Sequence, residues 1–308
     1  MIRNFIDSSA RYYDFVLEDF QQLSPSTYLA YCKSGNKYFI KRTNLYQEEK
    51  YLFLYNQGLD NILFPIRNKE NRFVTRKEND CFYIANFIND FYMLDEVRLV
   101  SINQELQKLH FQTYFKRQLS PSRCRHKLDE LFAYLEYKFY VLELFVRSVE
   151  ARPFDEYSIV ILKNYRYILE AKKHIGRFHQ KLLYAFREHK SVNYSFIHNN
   201  PKLEHLLIYG GKQLLTSIEN SKVGICSLDM AKLYIENAHL NVDLRSLIIP
   251  YFKKYEDEFY YEYFCFLVLL YYIKSITIID KDYISAQSFI YISKAIKKFI
   301  DNFIENEA

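Results

Sequence analysis

Short strand-like segments and a single helical stretch fill roughly the first ninety positions, and a mainly helical pattern takes over beyond them. Tyr28 to Lys41 reads as strand, Lys33-Ser34-Gly35-Asn36 turn and strand, a hairpin flanked by Tyr, Phe and Ile. A helix is expected from Leu45 to Asn56, with Leu45, Glu49, Leu52 and Phe53 on one face and Gly58 closing its C-terminus. Further strands are expected at Phe64 to Arg67, Asn71 to Arg76 and Cys81 to Phe87. After Ile88-Asn89-Asp90 the pattern predicts helices over Leu94 to Tyr114, Pro121 to Val149 and about Asp155 to His189. Two short strands follow around the turn Tyr209-Gly210-Gly211-Lys212, and helices run to the end. The fold class is α+β: a small antiparallel-sheet lobe with one helix over residues 1–88, then a mainly helical lobe over residues 89–308.

Composition supports a folded chain and narrows its partners. At 308 residues and 49% hydrophobic content there is material for one large domain or two lobes. The chain has 30 Tyr and 26 Phe but no Trp, which suits either an A/T-rich coding sequence or a tyrosine-rich adhesive surface. The net charge of +5 is spread out, with Lys253-Lys254 beside Glu256, Asp257 and Glu258. That is not the concentrated stripe of a nucleic-acid binder, although it suits an anionic ligand. Cysteines at 32, 81, 124, 226 and 265 show no C-x-x-C spacing, which points to a reducing compartment. Met1 to Ala10 lacks the pattern of a secretory leader. The longest apolar run, Tyr263 to Ile273 between Glu262 and Lys274, is shorter than the roughly 20 residues a bilayer span needs and predicts a buried helix. Core packing is also the expectation for Phe259, Tyr260, Tyr263 and Phe264, with Tyr271 and Tyr272, whereas an exposed patch of them would imply a partner. His174 and His179 are five apart with no acid between them, so they do not make H-E-x-x-H, and no metal site is expected from them. There is no G-x-S-x-G.

Several segments in one order carry a resemblance. Phe39-Ile40-Lys41-Arg42-Thr43-Asn44 is similar to "ALKRT", and Asn61-Ile62-Leu63-Phe64-Pro65-Ile66 follows the first helix. Phe82 to Ile88 stands where an interlobe hinge ending in "WIEG" is found, and Glu105 to His110 matches "LAxFH". Ser227-Leu228-Asp229-Met230-Ala231-Lys232-Leu233 is close to "YDLAKL". With these pieces the chain resembles the bacterial spore-coat kinase-like proteins, relatives of the aminoglycoside phosphotransferase and choline kinase superfamily. The resemblance implies a two-lobed protein-kinase-like fold.

It also implies a defective catalyst. The expected H-G-D-x-x-x-x-N reads His198-Asn199-Asn200-Pro201-Lys202-Leu203-Glu204-His205, and the expected D-F-D/E reads Ser217-Ile218-Glu219. Asn200 replaces the catalytic aspartate, and a neutral carboxamide cannot take a proton from a hydroxyl. His205 and Ser217 replace residues that would hold Mg²⁺, an ion that wants oxygen donors and usually a carboxylate. His198 is expected to brace the loop. Lys41 is the candidate partner of nucleotide phosphates, paired with Glu49 on the following helix; alone it would be a solvated strand lysine. Glu219, on the same strand face as Ser217, is the remaining candidate metal ligand or a leftover carboxylate. Asp229 is expected to open a helix and hold the loop. No Gly-rich loop precedes Lys41, where Ser24-Pro25-Ser26-Thr27 stands. The expected function is a structural or interaction component of the spore coat, made in the mother-cell cytoplasm, with other coat proteins as partners and no required cofactor. A nucleotide or an anionic small molecule, bound without turnover, is the ligand expected for its vestigial site. The rival expectation is an unusual phosphotransferase using ATP, Mg²⁺, Lys41, Asn200 and Glu219.

Overall fold

The computed structural model describes residues 11–77, 80–151, 153, 155–277 and 283–305. Met1 to Ala10, read in the sequence for a leader, lies outside the described residues. The chain divides into two compact units: one runs to Thr113 and takes in Lys202–Ser221, the other holds Tyr114–Pro201 and the chain from Lys222 on. Together they are an antiparallel-sheet N-terminal part and a mainly helical C-terminal part, a kinase-like α+β fold.

The first unit is built on five antiparallel strands, β1 (Leu17–Ser24), β2 (Thr27–Cys32), β3 (Lys37–Thr43), β4 (Thr75–Lys77) and β5 (Asp80–Asn86), ordered β1-β2-β3-β5-β4. Tyr28, Ile40 and Ile84 are in register across β2, β3 and β5. With Ala30, Phe82 and Tyr13 they form a buried cluster. Because side chains alternate along a strand, the neighbours of these residues emerge on the opposite face. Thr27, Lys41 and Tyr83 make one such row, and Leu29, Phe39 and Ala85 the next. The hairpin foreseen from Tyr28 to Lys41 is β2–β3, turned at Gly35 with φ +82.

Two expected strands are shorter or missing. Phe64 to Arg67 forms no strand: Pro65 has no N–H to donate. At Asn71 to Arg76 only Thr75–Lys77 is regular, because the Asn68 side chain accepts the amides of Glu70 and Arg72 at 3.0 Å each and holds a turn.

Helix α1 (Tyr46–Asn56) buries Gln47, Tyr51 and Leu54. The face expected from Leu45, Glu49, Leu52 and Phe53 is turned largely outward, since apolar residues sit all round this helix and give it little direction. Helix α2 (Asp95–Gln112) and the hairpin β8 (Leu206–Tyr209)–β9 (Lys212–Leu215) complete the unit. Leu63 N donates to Leu215 O at 2.9 Å, and Leu215 N to Asn61 O at 2.7 Å. Asp90 accepts from Ile208 N at 2.8 Å and pairs with Arg98, whose guanidinium also reaches Leu206 O.

The second unit contains a small sheet ordered β10-β7-β6, from β6 (Phe115–Gln118), β7 (Ser191–Ile197) and β10 (Lys222–Gly224). Around it are α3 (Pro121–Glu150), α4 (Glu156–Glu188), α5 (Ser227–Asn237), α6 (Leu244–Lys253), α7 (Glu258–Ser275) and α8 (Tyr283–Phe299). Asp155 caps α4 by accepting Ser158 N, as Asp257 caps α7 by accepting Phe259 N. The apolar run of the sequence lies in α7, which is apolar all round and packs against α4 and α5. Phe259, Tyr260, Phe264 and Tyr272 are buried in it, as expected of core residues, while Tyr263 and Tyr271 are only half-buried. No helix among the described residues is long and apolar enough to cross a membrane.

Candidate ligand pocket

The first unit holds a cavity of about 420 Å³. Its sheet wall is the face opposite the buried cluster: Thr27, Phe39, Lys41, Tyr83 and Ala85. Phe87 and Ile88 continue that wall beyond β5. Leu207 of β8 and the segment Thr216–Ile218 line it as well. The lining is largely apolar and aromatic, and its polar groups include Lys41, Glu204, His205 and Ser217.

Lys41 is engaged. Its Nζ lies 2.7 Å from Glu219 Oε1, and the Tyr83 hydroxyl donates to the same oxygen at 2.7 Å. Burial pushes the Glu219 carboxyl up, but the Lys41 charge and the hydrogen bonds from Lys41 and Tyr83 outweigh it, so it titrates below its ordinary 4.5. Burial, with Tyr51 and Glu219 close by, raises the Tyr83 phenol well above its ordinary range and keeps it a donor. On α1, Lys50 Nζ and Gln47 Nε2 donate to the Glu219 carbonyl at 2.6 and 3.1 Å. Burial lowers the Lys50 ammonium, against the opposing pull of Glu219.

This differs from the expected pairing. Glu49 is exposed, and the carboxylate against Lys41 is Glu219. Glu219 is also not on a strand with Ser217. Ser217 has left-handed backbone, φ 57 and ψ 40, and starts the 3-10 turn Ile218–Asn220 that swings Glu219 to Lys41. Without a glycine there, the sequence carried no sign of this bend.

The donors are a poor match for Mg²⁺, which keeps a near-octahedral shell of oxygens and usually takes a carboxylate. Ser217 offers a hydroxyl, His205 an imidazole and Glu204 an exposed carboxylate 3.9 Å from Lys202 Nζ, while the half-buried Glu219 oxygen beside Lys41 already takes a cation and a phenol. Nor is there a loop of open amides above the cavity. Pro25 and Ser26 make a two-residue turn between β1 and β2, and Ser26 N is directed at Ser24 Oγ, 3.3 Å away.

The remaining motif residues belong to the second unit. Asn199 takes left-handed backbone, φ 63, which asparagine tolerates better than most residues. Fully buried Asp229 accepts His198 N at 2.7 Å and Asn199 N at 2.6 Å through its two oxygens. Lys232 Nζ donates to Asn199 O and Oδ1 at 2.6 and 2.9 Å. Asn200 N is directed at His198 Nδ1, 3.3 Å away. Asp229 is not at the helix cap: Cys226 holds the N-cap position of α5 without a side-chain capping bond, and Asp229 stands in the first turn with its carboxylate turned to the loop. Lys232 and Tyr83 were both missed as site residues in the sequence. Lys232 follows Asp229 by three positions on one helix, a spacing that could have flagged it. Tyr83 could only have been found from strand register.

No protein-family model matches the chain, and no curated protein matches it. Solved structures do. An aminoglycoside phosphotransferase from Alicyclobacillus acidocaldarius is 13% identical over 96% of this chain and 94% of its own, with a TM-score of 0.65. The amicoumacin kinase hAmiN, in complex with AMP-PNP, Ca²⁺ and Ami, is 12% identical over 96% and 93%, at 0.53. The AMP-bound spectinomycin phosphotransferase APH(9)-Ia is 12% identical over 96% and 98%, at 0.50. At these identities the likeness establishes the fold.

Proposed function

From a kinase fold of the aminoglycoside phosphotransferase type, we propose that this protein is a catalytically degenerate kinase that serves as a structural or interaction component. The observation that carries the reading is the Lys41–Glu219–Tyr83 constellation. It engages the half-buried Glu219 carboxylate and leaves a hydroxyl, an imidazole and the exposed Glu204, itself near Lys202, as the donors lining the cavity. A neutral Asn200 where a general base would stand supports the same conclusion.

The cavity retains a use in this reading. Lys41 is the cavity's cation, and the half-buried Glu219 beside it and the exposed Glu204 at the rim are its acids, so the polar end carries both signs of charge. A nucleotide or another anionic small molecule, bound without turnover, would meet Lys41 there. The resemblance to spore-coat kinase-like proteins supports a place in coat assembly, with synthesis in the mother-cell cytoplasm and other coat proteins as partners. A second reading, a phosphotransferase of altered geometry, is favoured by one feature: Glu219 is a carboxylate beside the cavity lysine.

Thermal unfolding of the purified protein with ATP or GTP, each with and without Mg²⁺ or Mn²⁺, separates the two. A ligand at about 100 times its Kd adds roughly 2.7 kcal/mol. Stabilisation indifferent to metal, or none, is expected, together with no consumption of ATP. A metal-dependent shift accompanied by nucleotide turnover that Glu219→Gln abolishes would overturn the reading.

A further inference from the structure

A second chemistry-bearing cluster lies in the helical unit and has no part in the proposed function. Glu170 and His174 stand one turn apart on α4 and therefore project from the same face. Glu305, which ends the π-helical turn Ile300–Glu305, arrives beside them from more than a hundred residues away. One ligand atom from each lies within 4.8 Å of the other two.

Two details point to a cation there. The Glu170 and Glu305 carboxyl groups converge, an oxygen of each within 4.8 Å of the other's, and a cation between them would relieve that approach of like charges. His174 is only 7% exposed, and its Nδ1 is buried without a hydrogen-bond partner. A buried imidazole nitrogen left unpaired is costly and calls for an explanation, an unseen ion among them. Of the cations in the same hollow, Lys297 is taken up by Asp301, while Arg166 and Lys173 also line it.

We propose that Glu170, His174 and Glu305 form a binding site for a divalent transition-metal ion of the Zn²⁺ class. One imidazole and two carboxylates suit zinc, which takes three protein ligands and a water, whereas Mg²⁺ and Ca²⁺ prefer oxygen alone. Zn–N and Zn–O bonds of roughly 2.0–2.2 Å require the donors to close to about 3.4 Å. Glu305 is exposed and on a flexible stem, so it makes that movement. Bound metal would staple the C-terminal turn to α4.

The test uses the full chain and Zn²⁺ itself, titrated in competition with a chromophoric chelator, with Co²⁺ absorption as a report of coordination geometry. One equivalent is expected to bind, with a tetrahedral Co²⁺ spectrum. His174→Ala and Glu305→Gln should each weaken affinity at least about tenfold. Glu305→Gln, at an exposed position, keeps the test decisive if the buried His174→Ala variant does not fold. Failure to bind Zn²⁺, or binding unchanged in Glu305→Gln, overturns the proposal and assigns any zinc to other histidines or cysteines.

Discussion

Lys41 and Tyr83 are direct cross-strand partners on β3 and β5, and each places its polar atom 2.7 Å from the same oxygen of Glu219. The two side chains share a face because strand alternation puts them there, and the Ser217 bend delivers the acid. The pair is about four-fifths buried on both sides, at 22% and 21% side-chain exposure. Partial burial strengthens the attraction beyond that of a surface pair without the full desolvation cost of a dry one. Lys41→Met should cost about 1–3 kcal/mol, as should Glu219→Gln, and the double variant should lose less than their sum. A double-mutant cycle from urea unfolding measures the coupling. A coupling below about 0.5 kcal/mol would show that the contact is incidental.

Acid sensitivity follows from the same residue. The folded Glu219 carboxyl titrates below its ordinary 4.5, so at acid pH the unfolded chain takes up its proton first. Its contribution is therefore fully present above that ordinary value and is lost as pH falls through the lower, folded one. Unfolding midpoints measured from about pH 7 down to about pH 3 should fall more gently in Glu219→Gln than in the parent chain. Equal slopes in the two proteins would remove Glu219 from the account.

What the sequence disclosed follows the range of the forces involved. The β2–β3 hairpin was legible because alternation and Gly35 are local signals, and Pro121 marked the start of α3 for the same reason. Strand β1 was not, since its exposure pattern is that of a polar edge strand with little alternation to detect. Nor were β6, β7 and β10, whose pairing depends on segments more than twenty-five residues apart. The candidate residues Lys41 and Glu219 were visible as types in motif positions. Their partnership was not, because it depends on a left-handed serine 176 positions beyond the lysine. His174 looked inert beside His179 because Glu305 is equally remote, while His179 itself meets Asp129 at 3.1 Å and stacks on Phe132.

Asp229 gives the sharpest separation between a bracing group and a chemical one. Its oxygens are filled by the amides of His198 and Asn199, and its side chain is fully buried. Truncation would leave two inward-facing N–H groups without acceptors, and each such loss costs about 1–3 kcal/mol. Asp229→Ala should accordingly destabilise the protein by about 2–4 kcal/mol, allowing for some relaxation of the loop. Asp229→Asn should fall between, because one amide oxygen can still accept while the new NH₂ opposes an N–H. Lys232, whose ammonium is lowered chiefly by burial and held up by Asp229, loses its counter-charge in both variants. Lys232→Met should then cost less in the Asp229→Ala background than in the parent. Urea midpoints of the parent, the three single variants and the Asp229→Ala/Lys232→Met double variant measure this. A ranking in which Asp229→Ala is no less stable than the parent would mean that the loop holds its shape without the brace.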